Sequence, residues 1–515
     1  MSDKISFQKN ILLLFSVFFI AICGLVYELL AGTMSSYLLG DSVYQFSIVI
    51  GVFMSSMGLG SYLSRFIKEN LISNFILLEI ILGIVGGMSS IILFFSFAKI
   101  NNYSPFLFLL SISTGTLMGF EIPLIIRILK EFSNLRSLIS NVMTADYIGA
   151  LIAAILFPLV LIPQLGLIKT SLLFGIFNVL VALIGIYVFK EQLKSKKSLT
   201  SLALLTLVML SLIFASSTKI VSYLETSLYS DNIIFSKTTP YQKVVITRTD
   251  KNIRMYINGS LQFNSIDEYR YHETLVHPAM SYIKNRENIL ILGGGDGMAV
   301  REVLKYNDVK TVTLVDLDPV ITDIFTNNTM LSKLNNHAFK DSRVSIFNMD
   351  ALKFMEQTDD IFNLIIIDLP DPHSIEVSKL YTKSFYKLLI KHLSIDGAFV
   401  TQATSPLFAK KAFWCIYNTI KTAPASLELN QHLNVIPYHV YVPSFGEWGF
   451  ILASPMTINF EKIDINFELK FLDNKILKDI THFSSDMKVQ DTKINTIDSH
   501  VLMQYYEEGW DQWFG

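Results

Sequence analysis

The sequence predicts two folds in one chain: an N-terminal all-α transmembrane bundle of about seven spans, then a Rossmann-like α/β domain preceded by a small β-hairpin-rich subdomain. Three observations carry this. Mean hydropathy is +0.44 with 51% hydrophobic residues, high for a soluble chain, and the apolarity is concentrated before about residue 218. From Asn288 onward, short apolar runs alternate with helical patterns. The first of those runs ends in the glycine-rich turn of ILILGGGDG. The expected boundaries are 1–218 for the bundle, 219–285 for the small β subdomain and 286–515 for the Rossmann-like domain with its C-terminal tail.

Seven apolar segments in the N-terminal part, 11–31, 44–64, 74–98, 104–126, 145–165, 168–189 and 199–217, are long enough to cross roughly 30 Å of hydrocarbon as helices. The first is no cleavable signal peptide: it is too long, lacks a small-residue cleavage site and is followed by further spans. Basic residues alternate between the loops. Lys4, Lys9, Arg65, Lys68, Arg127, Lys130, Arg136, Lys190, Lys194, Lys196 and Lys197 fall on one side, and only Lys99 and Lys169 on the other. By the positive-inside rule the N-terminus is cytoplasmic. An odd number of spans then puts the C-terminal domain outside, which is awkward for an enzyme using a cytosolic nucleoside. Either one segment does not cross or the domain faces outward. The fourth segment, with Gly115, Gly119, Glu121 and Pro123, is the most irregular, yet removing it spoils the charge alternation.

Glu28, Glu79 and Glu121 lie within the spans. An acid there costs a few kcal/mol on insertion scales, so each is either a hydrogen-bonded packing residue or part of a transport or substrate path. Gly51, Ser55, Gly58 and Gly60 of the second segment predict close helix contact. A net charge of -2 excludes the strongly basic surface of a dedicated nucleic-acid binder. Cys23 and Cys415 fall in different domains, so neither a disulfide framework nor a cysteine metal cluster is expected. No metal or prosthetic group is called for.

After the bundle, KVVITRT and IRMYING read as strands, with NGS at 258–260 as the hairpin turn between MYI and LQF. From Asn288, the runs ILILGG, VTLVDLD, VSIFNMD, FNLIIIDLPD and GAFVTQA are each followed by a helical stretch. That rhythm predicts a doubly wound parallel sheet with its ligand at the carboxyl ends of the strands. Four of these ends carry acids: Asp296, Asp316, Asp350 and Asp368. Asp296, inside the glycine turn, repels phosphate and carboxylate groups and attracts a cation. A nucleoside with a positively charged tail is the natural guest. Asp316 stands about twenty residues past the turn, where an acid accepts from ribose hydroxyls; Asp318 is the alternative, further into the loop. Asp350 with Ala351 suits the adenine edge, the carboxylate accepting from the exocyclic amine and a backbone amide donating to a ring nitrogen. Its rival role is capping the helix ALKFME. Asp368 and Asp371, in a turn stiffened by Pro370 and Pro372, can together hold an amine and take up its proton.

From about residue 238 to 455 the chain resembles the spermidine synthases, the polyamine aminopropyltransferases. The matching residues are Tyr241–Gln242, DEYRYHETLVHPAM at 267–280, GGGDG at 293–297, Asp316, Asp350–Ala351, DLPDP at 368–372 with LYTKSFYKLL after it, and GAFVTQATSP at 397–406. The multi-span N-terminus, VPSFGEWGF at 442–450 and YYEEGWDQW at 505–513 resemble the membrane-bound branch of that family. The resemblance implies a domain of the class I AdoMet-methyltransferase type. It implies aminopropyl transfer from decarboxylated S-adenosylmethionine, as co-substrate, to a polyamine such as putrescine, giving spermidine and methylthioadenosine. It implies that Gln242, His272, Asp296, Asp316, Asp350 and Ala351 bind the nucleoside, that Asp368 is the proton acceptor, and that Tyr271, Asp371 and Gln262 hold the amine. The partners implied are these small molecules and the lipid bilayer, with no nucleic acid; self-association is open.

Two departures bear on which amine is accepted. Leu369 and Pro370 stand between the two acids where the family usually has small hydroxyl residues, and Pro443-Ser444-Phe445-Gly446 stands where it tends to have a tyrosine. Two rival readings share some of these features. An AdoMet methyltransferase has the same fold and ribose acid, but must place the methionine carboxylate near Asp296. A membrane transporter or sensor that merely binds polyamine or nucleoside would not need Asp368, Asp371, Tyr271 and Gln242 together.

Overall fold

The computed structural model describes residues 2–39, 42–100, 103–130, 135–229, 231–424, 432–489 and 491–514. The chain divides into two compact units, Met1–Asn232 and Ile233–Gly515.

The first unit is helical: α1 (Ser2–Leu39), α2 (Ser42–Leu63), α3 (Leu71–Lys99), α4 (Ser104–Leu129), α5 (Leu135–Leu156), α6 (Ile162–Val188) and α7 (Lys196–Leu228). Among the described residues, six stretches are long and apolar enough to cross a membrane, by length and composition. The fifth, Leu138–Val188, is 51 residues long. As one straight helix it would measure about 75 Å, more than twice the hydrocarbon thickness. It is not straight: a π-helical turn at Phe157–Leu161 and Gly166 at φ 74°, ψ 174° interrupt it. This single run holds the fifth and sixth apolar segments of the sequence, which is why six stretches stand where seven were expected.

Small residues set two of the helix contacts. A Cβ on Gly60 of α2 would lie 2.0 Å from Thr116 O of α4, and one on Gly119 would lie 2.1 Å from Met57 O. Gly51 and Gly58, expected to share this role, have nothing within 4 Å. Between α3 and α6, a Cβ on Gly175 would lie 2.5 Å from Gly83 O, and Ser171 Oγ donates to Gly87 O at 2.9 Å.

The second unit opens with an antiparallel sheet, β1 (Asn232–Thr238), β2 (Lys243–Arg248), β3 (Ile253–Ile257) and β4 (Ser260–Asn264), in that order. The NGS turn joins β3 to β4 as expected, with Asn258 and Gly259 at φ 50° and 86°, the twist such hairpins need. Then come α8 (Glu268–Tyr282), β5 (Asn288–Gly293), α9 (Met298–Val303), β6 (Thr311–Asp316), α10 (Pro319–Asn327), α11 (Leu331–Leu334), β7 (Val344–Asn348), α12 (Ala351–Gln357) and β8 (Phe362–Asp368). They are followed by α13 (Ile375–Ser378), α14 (Lys383–Lys391), β9 (Leu393–Gln402), α15 (Lys410–Lys421), β10 (Asn434–Val442), β11 (Gly446–Ser454), α16 (Asn474–Asp479) and α17 (Val501–Phe514).

The larger sheet runs β10-β11-β9-β8-β5-β6-β7, parallel from β9 to β7, with β10 and β11 as an antiparallel hairpin on one edge. Its central strands are apolar throughout because both faces are covered. Ile289, Ile291, Leu364 and Ile366 pack with Leu275 of α8 and Val300 of α9, while Leu290, Leu292, Ile365 and Ile367 pack with Met355 of α12 and Leu389 of α14. The chain proceeds from β5 outward to β6 and β7, then returns to the other side of β5 as β8. That reversal opens a crevice at the carboxyl ends of β5, β6 and β8, where the sequence places its acids.

Candidate active site

The glycine turn and the Asp368 tetrad meet because the backbones of β5 and β8 touch at their ends. Gly293 pairs with Asp368 in the parallel register, and Gly294 N donates to Asp368 O at 3.1 Å. Gly293 sits at φ 83°, and a Cβ there would lie 2.1 Å from Asp368 O, so no other residue fits. Past the turn, Asp296 is buried and its Oδ1 accepts from Met298 N at 2.8 Å. Burial pushes its carboxyl up to about 6, with His272 pulling the other way.

Asp316 ends β6. Its Oδ1 accepts from Asp318 N at 2.9 Å and its Oδ2 from Gly295 N at 3.0 Å, while burial raises the group to about 6. Asp318, the alternative, is fully buried and occupied: Oδ1 caps α10 through Val320 N, and Oδ2 accepts from Thr239 Oγ1 at 2.8 Å and Gln242 Nε2 at 3.1 Å. Of the two acids, Asp316 is the partly exposed one. Gln242 thus reaches the β6 end through Asp318.

Asp350 plays the capping role: Oδ1 accepts from Lys353 N at 3.1 Å, and Oδ2 pairs with Lys379 Nζ at 2.8 Å. Burial opposes ionisation, but Lys379 and the cap hold the group below its ordinary range. Ala351 is the first residue of α12, whose leading N–H groups have no intrahelical acceptor.

The two acids of the tetrad each receive a phenol. Tyr271 of α8 donates to Asp368 Oδ1 at 2.6 Å, and Tyr506 of α17 donates to Asp371 Oδ2 at 2.9 Å. Burial raises both carboxyls, Asp371 to about 7; His272 and Tyr271 restrain Asp368, and Tyr506, Gln402 and Thr404 restrain Asp371. Both phenols are held well above their ordinary range by burial and by the acids, so they remain donors. Asp371 Oδ1 is buried with no protein partner among the described residues. The tetrad's backbone is also held: Gln402 Nε2 donates to Leu369 O at 2.8 Å and the Tyr381 hydroxyl to Pro370 O at 3.1 Å. Side-chain hydroxyls between the acids are therefore not what fixes this turn.

His272 supplies a positive charge facing Asp296 and Asp368. Burial disfavours its imidazolium, but the 2.7 Å contact with Glu268 Oε2, together with Asp296 and Asp368, outweighs burial and lifts it to about 9. Glu268 is fixed in turn by both Arg301 terminal nitrogens at 3.0 Å, and despite burial these partners pull it down to about 2. Asp296, Asp316, Asp368 and Asp371 thus gather at the strand ends beside the His272 imidazolium, with Lys379 engaged by Asp350, an arrangement that suits a cationic ligand.

Gln262, on β4, donates to Ser260 O at 3.2 Å and, among the described residues, makes no hydrogen bond to the acids. Residues that the sequence reading passed over include Tyr506, Gln402, Tyr381, Glu268 and Arg301. All but Arg301 lie inside the quoted motifs, but nothing in a motif tells which side chain will reach an acid. Tyr506 arrives because α17 docks closely: Leu502 is buried, and a Cβ on Gly509 would lie 2.7 Å from Ala409 Cα. The Pro443–Gly446 loop, without a tyrosine, is tied to the start of α8 by Ser444 N donating to Asp267 Oδ2 at 2.7 Å.

Residues 268–462 match the spermine/spermidine synthase domain. A polyamine aminopropyltransferase of Leptospira interrogans is 47% identical over 497 residues, which cover 96% of this chain and 98% of that protein. Polyamine aminopropyltransferase 2 of Ralstonia nicotianae is 42% identical over 513 residues, covering 98% of this chain and 99% of that one. A spermidine synthase solved in complex with the transition-state analogue AdoDATO aligns at 24% identity and TM-score 0.44, on 49% of this chain and 86% of its own. The likeness to the curated proteins thus runs through the helical unit as well as the α/β unit, and the chain belongs to the polyamine aminopropyltransferase family.

Proposed function

We propose that this enzyme transfers the aminopropyl group of decarboxylated S-adenosylmethionine to putrescine, with Asp368 as proton acceptor. The pairing of Asp368 and Asp371, each with its own tyrosine donor beside the glycine turn, carries the reading. In it, Asp316 accepts from the ribose, Asp350 and the Ala351 amide meet the adenine, and Gln242 and His272 complete the nucleoside pocket. Asp296 faces the amine of the aminopropyl tail. Tyr271, Asp371 and Gln262 hold the acceptor. The acceptor nitrogen's lone pair forms a bond to the methylene next to sulfur as the carbon–sulfur bond breaks. The electron pair returns to sulfur, which leaves as the neutral thioether of methylthioadenosine, and the nitrogen's proton passes to Asp368. A substrate amine is cationic at neutral pH, so the same carboxylates that attract it must also neutralise it; holding it in line supplies much of the remaining acceleration. Incubating the protein with decarboxylated AdoMet and a panel of amines, with products read by mass spectrometry, tests this. Spermidine from putrescine is expected, and an aminopropylated product only from other amines would overturn the acceptor.

The reading also places the helical unit in the cell membrane as a multi-pass bundle with its N-terminus in the cytoplasm. Reporter fusions after residues 195 and 225 should show opposite sidedness if α7 crosses. Identical sidedness at both points would show that α7 does not cross, and would put the catalytic unit in the cytosol.

A further inference from the structure

The helical unit buries acids of its own. Glu79 of α3 and Glu121 of α4 are 0% and 1% exposed, and their carboxyl groups face one another. Tyr27 of α1 lies within electrostatic reach of both, its ring against Gly86 of α3, where a Cβ would meet it at 2.4 Å. The contacts of Gly83 with Val179, Gly87 with Gly175 and Ile76 with Gly185 make α3 and α6 antiparallel. That register sets Asn178 of α6 opposite the turn between Glu79 and Gly83, its Cβ 3.6 Å from where a Gly83 Cβ would stand. Four helices thus bring four buried polar side chains into the bundle interior within about two turns of α3.

Among the described residues, Glu79 and Glu121 have only each other's carboxyl as a hydrogen-bond partner, and neither amide atom of Asn178 nor the Tyr27 hydroxyl has any partner in the protein. Leaving such groups unpaired in a low-dielectric interior is costly, so their retention together calls for a guest. The set is rich in acceptors and poor in donors, and it has no basic side chain. Arg127, the cation of α4, is spent on the carbonyls of Ile67 and Ser64, both at 2.8 Å. Among the described residues no three His, Cys, Asp or Glu side chains are arranged to hold a metal ion. An ammonium group supplies what is missing: several N–H donors and one positive charge, on an aliphatic chain suited to the surrounding apolar helices.

We propose that Tyr27, Glu79, Glu121 and Asn178 form a binding site for a protonated aliphatic amine within the helical unit, separate from the catalytic crevice. The proposal takes only the class of its ligand from the aminopropyltransferase family and does not depend on the roles given to Asp368 and Asp371.

Equilibrium dialysis of full-length protein in lipid nanodiscs against radiolabelled putrescine, with methylthioadenosine present, tests it. Wild type should bind two putrescines per chain, and Asp371→Asn one. The Glu79→Gln/Glu121→Gln double variant should also bind one while retaining aminopropyl transfer, which reports that it has folded. Glutamine keeps the volume and removes the buried charge, so folding should survive. Should the double variant nonetheless fail to fold, Asn178→Leu decides, with about tenfold weaker binding at the second site expected. Unchanged stoichiometry in the double variant, or unchanged affinity in Asn178→Leu, overturns the proposal; it would mean that the two acids only share protons. If Asp371→Asn changes nothing while the glutamate variants lose one putrescine, the acceptor reading falls and this one stands.

Discussion

In the α/β unit, Asp368 receives the Tyr271 hydroxyl at 2.6 Å and Asp371 that of Tyr506 at 2.9 Å; in the helical unit, Glu79 has only the carboxyl of Glu121, among the described residues. Both pairs of acids are withdrawn from water, but each acid of the crevice pair is held by a phenol and the bundle pair is not. A short phenol–carboxylate bond fixes the direction of one oxygen and leaves the other for a ligand. It also restrains the rise in pKa that burial imposes, keeping a carboxylate available near neutral pH. The lesson is that burial alone does not make an acid catalytic. On the proposed mechanism, a neutral donor that holds it, without pinning its charge as an arginine would, is what prepares it to accept a proton.

The sharpest way to break the comparison is Asp368→Asn. Asparagine keeps the volume and the contact with Tyr271 but cannot take up the proton. Turnover should fall by about 10²–10⁴-fold, the usual cost of a lost general base, while methylthioadenosine affinity changes little. Steady-state kinetics and calorimetry check the two halves. Near-normal turnover would mean that the phenol-held acid is no more functional than the unheld ones.

Next in size is the selection that Asp296 imposes on the nucleoside. Intact AdoMet adds a carboxylate at the carbon where the decarboxylated form carries only its amine, bringing two like charges within a few ångströms. At an effective dielectric near 20, that repulsion is on the order of a few kcal/mol, roughly a hundredfold in affinity. Asp296 sits at about 6, so above that pH it is increasingly ionised and discrimination should grow; below it, discrimination should fade. Asp296→Asn should narrow the gap, chiefly by weakening the decarboxylated form. Equal calorimetric affinities of the wild type for both nucleosides would remove Asp296 from this role.

The same contrast explains what was legible in the sequence. Strands β5, β6, β8 and β9 could be read because central parallel strands are covered on both faces, β7 because its VSIFN run keeps the same rhythm at the sheet edge, and the acids because they stand at or just past the strand ends. Asn258–Gly259 announced its hairpin because few other pairs adopt that turn. The break at Gly166 falls between the expected segments 145–165 and 168–189, whereas the π-helical turn at Phe157–Leu161 lies inside the first of them and was hidden in its apolar run. Glu79 and Glu121 stood out singly, but nothing in the chain states which faces of the helices meet. For the same reason Gly51 and Gly58 looked like contact residues, while Gly60 makes the contact. Tyr506 was out of reach for a related cause. It lies 135 residues from Asp371, and only the docking of α17 against α15 brings the two together.

Tyr506→Phe is the smallest change proposed and the one that bears most directly on the comparison, because it puts Asp371 into nearly the condition of Glu79. What remains for it are Gln402 and the longer Thr404 contact at 3.5 Å. Losing a hydrogen bond to a charged group costs about 1.5 kcal/mol, so the KM for the amine should rise roughly tenfold. The effect on kcat should be smaller, since Asp368 and Tyr271 are untouched. The pH dependence has a definite sign. Burial holds Asp371 at about 7, and the Tyr506 bond is one of the forces keeping it from going higher. Without that bond the carboxyl stays neutral to a higher pH, so the acidic limb of kcat/KM for the amine should move upward. If Tyr506 only helped α17 to dock, the variant would lose activity with the limb in place, and the tyrosine would count as packing. A shifted limb with kcat nearly intact would show that this helix reaches the crevice to hold an acid, supplying from the end of the chain the hydroxyl that the Pro443–Gly446 loop lacks.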